Sequence, residues 1–242
     1  MLIVTLLEAL ELGLIYSILA LGVFLSFRTL NTPDLTVDGS IVTGAAISAV
    51  VCTAAADLDP AVQGVVCILG LVLSFLFGMG AGAITALLNT KLKIQPLLAG
   101  ILVMLGIYSI NLRSQGKANI NLSSRKTIYS MMDDAMGGFR WSAIVLGVLI
   151  AAVVIILMYG FLKTRLGFAL RATGDNEDMV RAAGISSDNM KLLGLSVSNG
   201  LVGLAGGMLA QYQGYSDVGM GTGMVVIGLA SVIIGEVLFG TG

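Results

Sequence analysis

Seven apolar runs, each about long enough to cross a bilayer, dominate this chain. They fall near residues 2–27, 40–56, 61–88, 96–112, 141–162, 191–213 and 221–239. Roughly 20 apolar residues span the hydrocarbon core as a helix. Lipid supplies no partners for backbone N–H and C=O groups, so runs of this length fold as helices that satisfy themselves. Hydrophobic residues make up 57% of the chain and charged residues only 11%, far below the quarter or so of a soluble domain. The expected fold is an all-α, polytopic membrane bundle of about seven spans. The 32 glycines suit helices that pack backbone to backbone. Gly78 with Gly82, and Gly203 with Gly207, have the spacing of close-packing faces.

The composition also excludes. There is no histidine, which removes His-based metal sites, Ser-His-Asp triads and His proton relays. A net charge of −1 gives no basic surface for nucleic acid. Cys52 and Cys67 have no CxxC spacing and read as two buried thiols. The N-terminus lacks a basic leader region and reads as a retained first span. No catalytic residue and no metal ligand is expected. The chain also lacks a GxxxxGK[ST] phosphate loop.

Polar intervals set the expected orientation. Residues 56–60 (ADLDP) read as a short acidic turn. Residues 28–39, 89–95 and 163–191 lie on one side of seven alternating spans and hold eight Lys and Arg. Residues 113–140, on the other side, hold five. The positive-inside rule makes the first side cytoplasmic and puts the N-terminus outside. Glu8, Glu11 and Glu236 are the acidic groups nearest to the spans, costly in lipid unless interfacial or partnered.

Between the first two spans lies NTPDLTVDGS, residues 31–40. Pro33 suits a first helical position, and Asp38–Gly39–Ser40 offers a second start, so the chain is expected to break here. Asp34 and Asp38, four apart, would share a face if the turn were regular helix. YSDVGMGTG, from Tyr215, repeats the shape: Asp217 followed by Gly219, Gly221 and Gly223. Two interrupted segments in the two halves of a transporter bring polar backbone to a path through the membrane. The candidate path residues are Asn31, Asp34, Asp38, Ser40 and Asp217. Their acidic mouth would tolerate an ammonium group; two acidic surface loops would read the same way.

Residues 163–190, KTRLGFALRATGDNEDMVRAAGISSDNM, are the least membrane-like stretch. Gly174 is expected to break the chain and Asp175 to cap a helix of about eight residues. Asn176, Glu177 and Asp178 would lie in its first turn, Arg181 near its end, and Gly184 at a left-handed cap. A helix this short is not stable alone.

This loop and the span after it resemble ABC-importer permeases of the branched-chain amino acid and ribose type. The matching parts are Arg165, Leu166 and Gly167, then Leu170, Arg171, Ala172 and Gly174, then Ala182, Gly184, Ile185 and Lys191. The opening run from Gly13 to Ala46 is similar as well, its PDLTVDGS form resembling a branch associated with amino-acid-like substrates. The resemblance implies a bacterial cytoplasmic-membrane permease subunit, working by alternating access. It implies a cytoplasmic coupling helix seated on a separate ATPase that binds ATP and Mg, with Gly167, Arg171, Ala172, Gly174, Asp175, Asn176, Glu177, Asp178, Arg181, Ala182 and Gly184 at the contact. A second permease chain and an extracytoplasmic substrate-binding protein are the other implied partners. It further implies that 1–242 is one permease domain lacking a C-terminal span. The alternative is an ion-coupled secondary transporter, which would need Glu8, Glu11 or Glu236 as coupling groups.

Overall fold

The computed structural model describes residues 2–55, 59–123, 125–137 and 141–240. Most of the acidic turn expected at 56–60, and Arg140, lie outside the described residues. The fold is helical. α1 (Leu2–Val23) passes into a π-helical turn (Phe24–Thr29); α2 (Thr36–Ala54), α3 (Pro60–Thr90), α4 (Pro96–Gln115), α6 (Ser142–Leu162) and α9 (Ser187–Gln213) are the other long helices. Six helices among the described residues are long and apolar enough to cross a membrane, and α10 (Met224–Phe239) is a shorter apolar one. The seven expected runs thus appear as helices. Pro60 and Pro96 occupy first-turn positions, where a missing N–H costs nothing.

Three short helices and a ribbon complete the elements among the described residues. β1 (Asn119–Asn121) pairs antiparallel with β2 (Tyr215–Asp217), and α5 (Ile128–Ala135) lies near that ribbon end of the bundle. α7 (Arg165–Asp175) and α8 (Glu177–Ala182) lie at the opposite, loop end.

α9 is the axis. It is the most buried of the six long helices and the least apolar, while α6, the most apolar, is largely exposed. That inversion is what lipid as solvent demands: apolar side chains face outward, and small or polar ones face the bundle. The seam between α3 and α9 joins the two close-packing pairs seen in the sequence. A Cβ on Gly82 would strike the Leu195 carbonyl, and one on Gly78 the Asn199 carbonyl. A Cβ on Gly207 would lie 2.7 Å from Ser74 Oγ. α2 packs as closely on the other side, Gly44 against the Gly203 carbonyl.

Directions follow from these contacts. α3 runs antiparallel to α9, while α2 runs parallel to it, Ser40 meeting Asn199 and Ser48 meeting Gln211. α1 is antiparallel, with Gly22 beside Ser198 and Glu11 beside Tyr212. α10 follows α1, with Gly228 against Val23 and Glu236 paired to Arg28 at 2.7 Å.

The loop from 163 to 190 differs from expectation. It forms two helices, not one. Gly174 lies inside α7 and does not break the chain; its missing side chain lets α7 press on the Thr29 carbonyl. The cap of α8 is Asn176, whose Oδ1 accepts from Met179 N at 3.0 Å, and not Asp175, which ends α7. Gly184 does adopt the expected left-handed conformation, at φ 82°.

The seam yields a matched test on α3. A Cβ at Gly80 would meet no atom within 4 Å, whereas one at Gly82 would abut backbone. Gly82→Ala is expected to cost about 1–3 kcal/mol by overpacking, and Gly80→Ala to be neutral or slightly stabilising. Thermal unfolding of the two purified variants in detergent measures the difference.

Candidate functional site

The chain breaks twice, and the two breaks meet. After Thr29 it leaves helical geometry, with Asn31 at φ 51°, and continues as a non-helical segment to Thr36. Asp34 is buried at 1% exposure and organises the restart. Its Oδ1 accepts from Thr36 N at 2.8 Å, and its Oδ2 accepts from Asn199 Nδ2 at 2.6 Å. Asn199 Oδ1 in turn accepts from Ser40 Oγ at 2.6 Å, and the Thr36 and Thr85 hydroxyls lie 2.7 Å apart. Small polar groups from α2, α3 and α9 therefore close around one carboxylate. Asn199 lies 12 residues into α9, about 18 Å along its axis at 1.5 Å per residue. α2 is long enough to cross a membrane by itself, yet it begins at this depth and runs toward the ribbon end.

The second break mirrors the first. Asp217 Oδ1 accepts from Gly219 N at 2.7 Å, the same two-residue turn that Asp34 makes with Thr36. Residues 218–223 then descend from the ribbon end, Gly221 pressing on the Asp38 carbonyl. α10 starts there and runs to the loop end. Asp38 ties the two helix starts together: its Oδ2 accepts from Gly223 N at 3.0 Å and its Oδ1 from Val225 N at 2.8 Å. A carboxylate facing two free N–H groups at a helix start is favoured by both hydrogen bonding and the helix dipole. Two helices thus begin side by side and point in opposite directions, each reached by a non-helical segment from the opposite end.

The candidate path residues are therefore placed as follows. Asp34, Asp38 and Ser40 converge at this junction; Asn31 lies at the loop end, exposed, and Asp217 in the ribbon. Asp34 and Asp38 do not share a helical face, because Asp34 precedes the helix and faces α9 while Asp38 sits in its first turn and faces α10. Sequence reasoning missed Asn199 and Gln211. Both are polar residues inside a glycine-rich apolar span, which was the available signal. Gln211 Nε2 donates to Ser48 Oγ at 2.9 Å and to the Cys67 carbonyl at 3.1 Å, and its Oε1 accepts from Ile128 N at 3.1 Å. Cys52 and Cys67 are buried free thiols with sulfurs 2.9 Å apart. Of the acidic residues near the spans, Glu11 accepts from Tyr212 Oη at 2.8 Å and Glu236 pairs with Arg28.

At the loop end, α8 is held by its own chain. Glu177 accepts from Lys191 Nζ at 2.6 Å, from Arg181 Nη2 at 2.6 Å and from Ser187 Oγ at 3.1 Å. Leu170 and Val180 are buried beneath. The expected instability of a short free helix does not arise, because Glu177 clamps it to the first turns of α9. Arg171, Ala172, Asp175, Asn176, Asp178, Arg181, Ala182 and Gly184 lie around this clamp, all of them exposed, while Gly167 is buried. The hydrogen bond and charge of Lys191, helped by Ser187 and Arg181, hold the Glu177 carboxyl below its usual value of 4.5 despite partial burial.

Fold and site together define a class: a multi-pass helical membrane protein whose interrupted segments meet inside the bundle. The model of the branched-chain amino acid transport system permease component family matches residues 5–242, and the chain belongs to that family of ABC-importer permeases. It is 42% identical over 227 residues to the tyrosine transport system permease protein of Clostridioides difficile, covering 94% of this chain and 71% of that protein. It is 36% identical over 234 residues to an uncharacterized protein of Rickettsia prowazekii, covering 97% and 78%. It is 29% identical over 224 residues to the probable branched-chain amino acid transport permease protein LivH of Methanocaldococcus jannaschii, covering 84% and 66%. No solved structure matches significantly.

Two outcomes follow. Asn199→Ala leaves Asp34 buried without its amide partner and is expected to cost about 1.5–3 kcal/mol; with Asp34→Ala added, the loss should fall short of the sum, as a double-mutant cycle by thermal unfolding would show. Glu177, with its lowered folded pKa, stabilises α8 fully above its unfolded value of 4.5, and that contribution is lost as pH falls through the lower folded value. Hydrogen exchange of α8 amides should stay slow, after correction for intrinsic rates, down to about that pH and quicken below it; Glu177→Gln should abolish the dependence.

Proposed function

We propose that this chain is the membrane subunit of an importer for an amino-acid-like solute, working by alternating access and driven by a separate ATPase seated on α7 and α8. Family membership supports transport; the coupling role rests on one observation. α7, α8 and the turn after them present Leu166, Phe168, Met179 and Ile185 to solvent at the polar loop end, Met179 at 72% exposure, with Arg171, Asp178 and Arg181 around them. Apolar side chains in a charged surround outside the apolar spans suit a protein interface.

The same helices are mechanically connected to the site. Glu177 fixes α8 to the start of α9, and Asn199 of α9 holds Asp34 and Ser40 at the start of α2. Asp38 of α2 then holds the start of α10. A displacement of α8 by an ATPase therefore reaches both breaks through one stiff helix and three side-chain contacts. Each conformational state must differ in its affinity for nucleotide-bound ATPase or for cargo, since a ligand shifts only an equilibrium between states it distinguishes. In this reading ATP and Mg bind to the partner, and this chain needs no cofactor of its own. An extracytoplasmic binding protein delivers cargo at the ribbon end, and the α7–α8 end is cytoplasmic, with the N-terminus outside. A second copy of the chain supplies the seat for a second ATPase.

The amino-acid reading draws on the tyrosine permease relative and on the carboxylates at the breaks. The ion-coupled alternative loses support from Glu236 and Glu11, whose carboxylates are engaged by Arg28 and Tyr212. The test is co-purification with a candidate ABC ATPase subunit co-expressed with this chain, together with uptake of labelled L-tyrosine. Met179→Asp should reduce ATPase capture and uptake by tenfold or more (about 1.4 kcal/mol or more of binding) while leaving thermal stability unchanged. Uptake by this chain alone, driven by a proton or sodium gradient, would refute the proposal.

A further inference from the structure

We infer that the cavity walled by α2, α4 and the 218–223 segment is a resting site for a zwitterionic α-amino acid, with the ammonium group toward Asp38 and the carboxylate toward the side-chain amide of Asn111. The inference rests on the transport reading above and adds where the cargo pauses and how it is recognised. The cavity measures about 160 Å³ and its polar lining is Asp38, Tyr108, Asn111 and Thr222, with backbone at Gly219 and Gly221.

Asn111 carries the inference. It is 2% exposed, and its Nδ2 has no hydrogen-bond partner among the described residues. A buried amide donor left unpaired is destabilising, so its retention in an apolar span needs a reason. The side chain lies on the face of α4 that Met104, Tyr108, Asn111 and Gln115 share by their three- and four-residue spacing. That face meets Gly39 of α2 through Met104 and Ser216 of the ribbon through Gln115. Gln115 Oε1, one turn nearer the ribbon end, is likewise buried without a partner among the described residues. The polar groups of α4 therefore form a short ladder from the ribbon end into the cavity.

The lining chemistry selects the ligand. Asp38 is the one charged group among the described residues of the cavity wall. Each of its oxygens accepts one backbone N–H, and a carboxylate oxygen can accept more than one hydrogen bond, so both retain capacity for a cationic donor. No Lys or Arg is among those lining residues, so a free anion finds no countercharge. A zwitterionic α-amino acid, with both charged groups on one carbon, offers a donor to Asp38 and an acceptor to the Asn111 amide. The Tyr108 ring, 53% exposed, offers a face to the substituent between them.

Equilibrium binding to the full chain in nanodiscs tests this, with labelled L-tyrosine and L-leucine as probes and their decarboxylated amines, tyramine and isopentylamine, as competitors. The wild type should bind at least one of the amino acids saturably and its amine about ten- to a hundredfold more weakly, the worth of a hydrogen bond to a charged group. Asn111→Asp should weaken amino-acid binding by a similar factor and remove the preference over the amine. Should that variant not fold, Asn111→Leu of near-equal size should lose the same preference while raising the melting temperature, since it removes the orphaned donor. Equal competition by the amine in the wild type, or an unchanged preference in the variants, overturns the inference. So does the absence of saturable binding; ATP-driven uptake persisting in that case would leave the transport reading standing.

Discussion

A helix that starts inside a helical bundle leaves backbone N–H groups that need acceptors there, and the polar junction of this structure answers that problem. Unsatisfied groups in hydrocarbon cost on the order of several kcal/mol each. Asp38 meets the start of α10 and Asp34 the start of α2. Each carboxylate is itself a liability in low dielectric. Asp34 is accommodated by Thr36 and Asn199, and Asp38 by two N–H groups of the neighbouring helix. The two breaks are thus solved jointly: one start provides the acceptor that the other start needs.

Such a junction requires close approach. Polar side chains as short as Ser, Thr, Asn and Asp reach one another only when backbones nearly touch, and the glycines of α3, α2 and α9 permit this. Gly44 at the Gly203 carbonyl and Gly78 at the Asn199 carbonyl put three helices around the level of Asp34. The seam and the polar junction are one feature, since widening the first would open the hydrogen bonds of the second. α9 also carries the clamp to α8 through Lys191 and Ser187, so the junction lies on the same rigid element as the exposed helices at the loop end.

Much of this was legible in the sequence. The apolar runs gave the helices, because their length admits no other structure in lipid. The close-packing glycines and the breaks at Asp34 and Asp217 were readable too, from residue types that interrupt helices. The depth of the breaks was not, since a span of 19 residues such as α2 looks identical whether it begins at a surface or in the middle. Only tertiary contacts with Asn199 fix that. Asn199, Gln211 and Asn111 were hidden as lone polar residues in apolar runs, whose partners lie far away in sequence. The cap of α8 shifted from Asp175 to Asn176 because Gly174 serves close packing on Thr29, letting α7 continue through a residue that alone reads as a breaker.

The central claim is that the segment after β2 descends into the bundle and meets the start of α2. A Cβ at Gly221 would lie 2.6 Å from Val42 Cγ2. The direct measurement is disulfide cross-linking of a Val42→Cys, Gly221→Cys pair in membranes, with Cys52 and Cys67 replaced by serine. Rapid, near-complete cross-linking under mild oxidation is the expected result, with pairs of position 221 to the ribbon-end residue Thr53 staying reduced. Cross-linking of 221 to 53 in place of 42 would contradict the account.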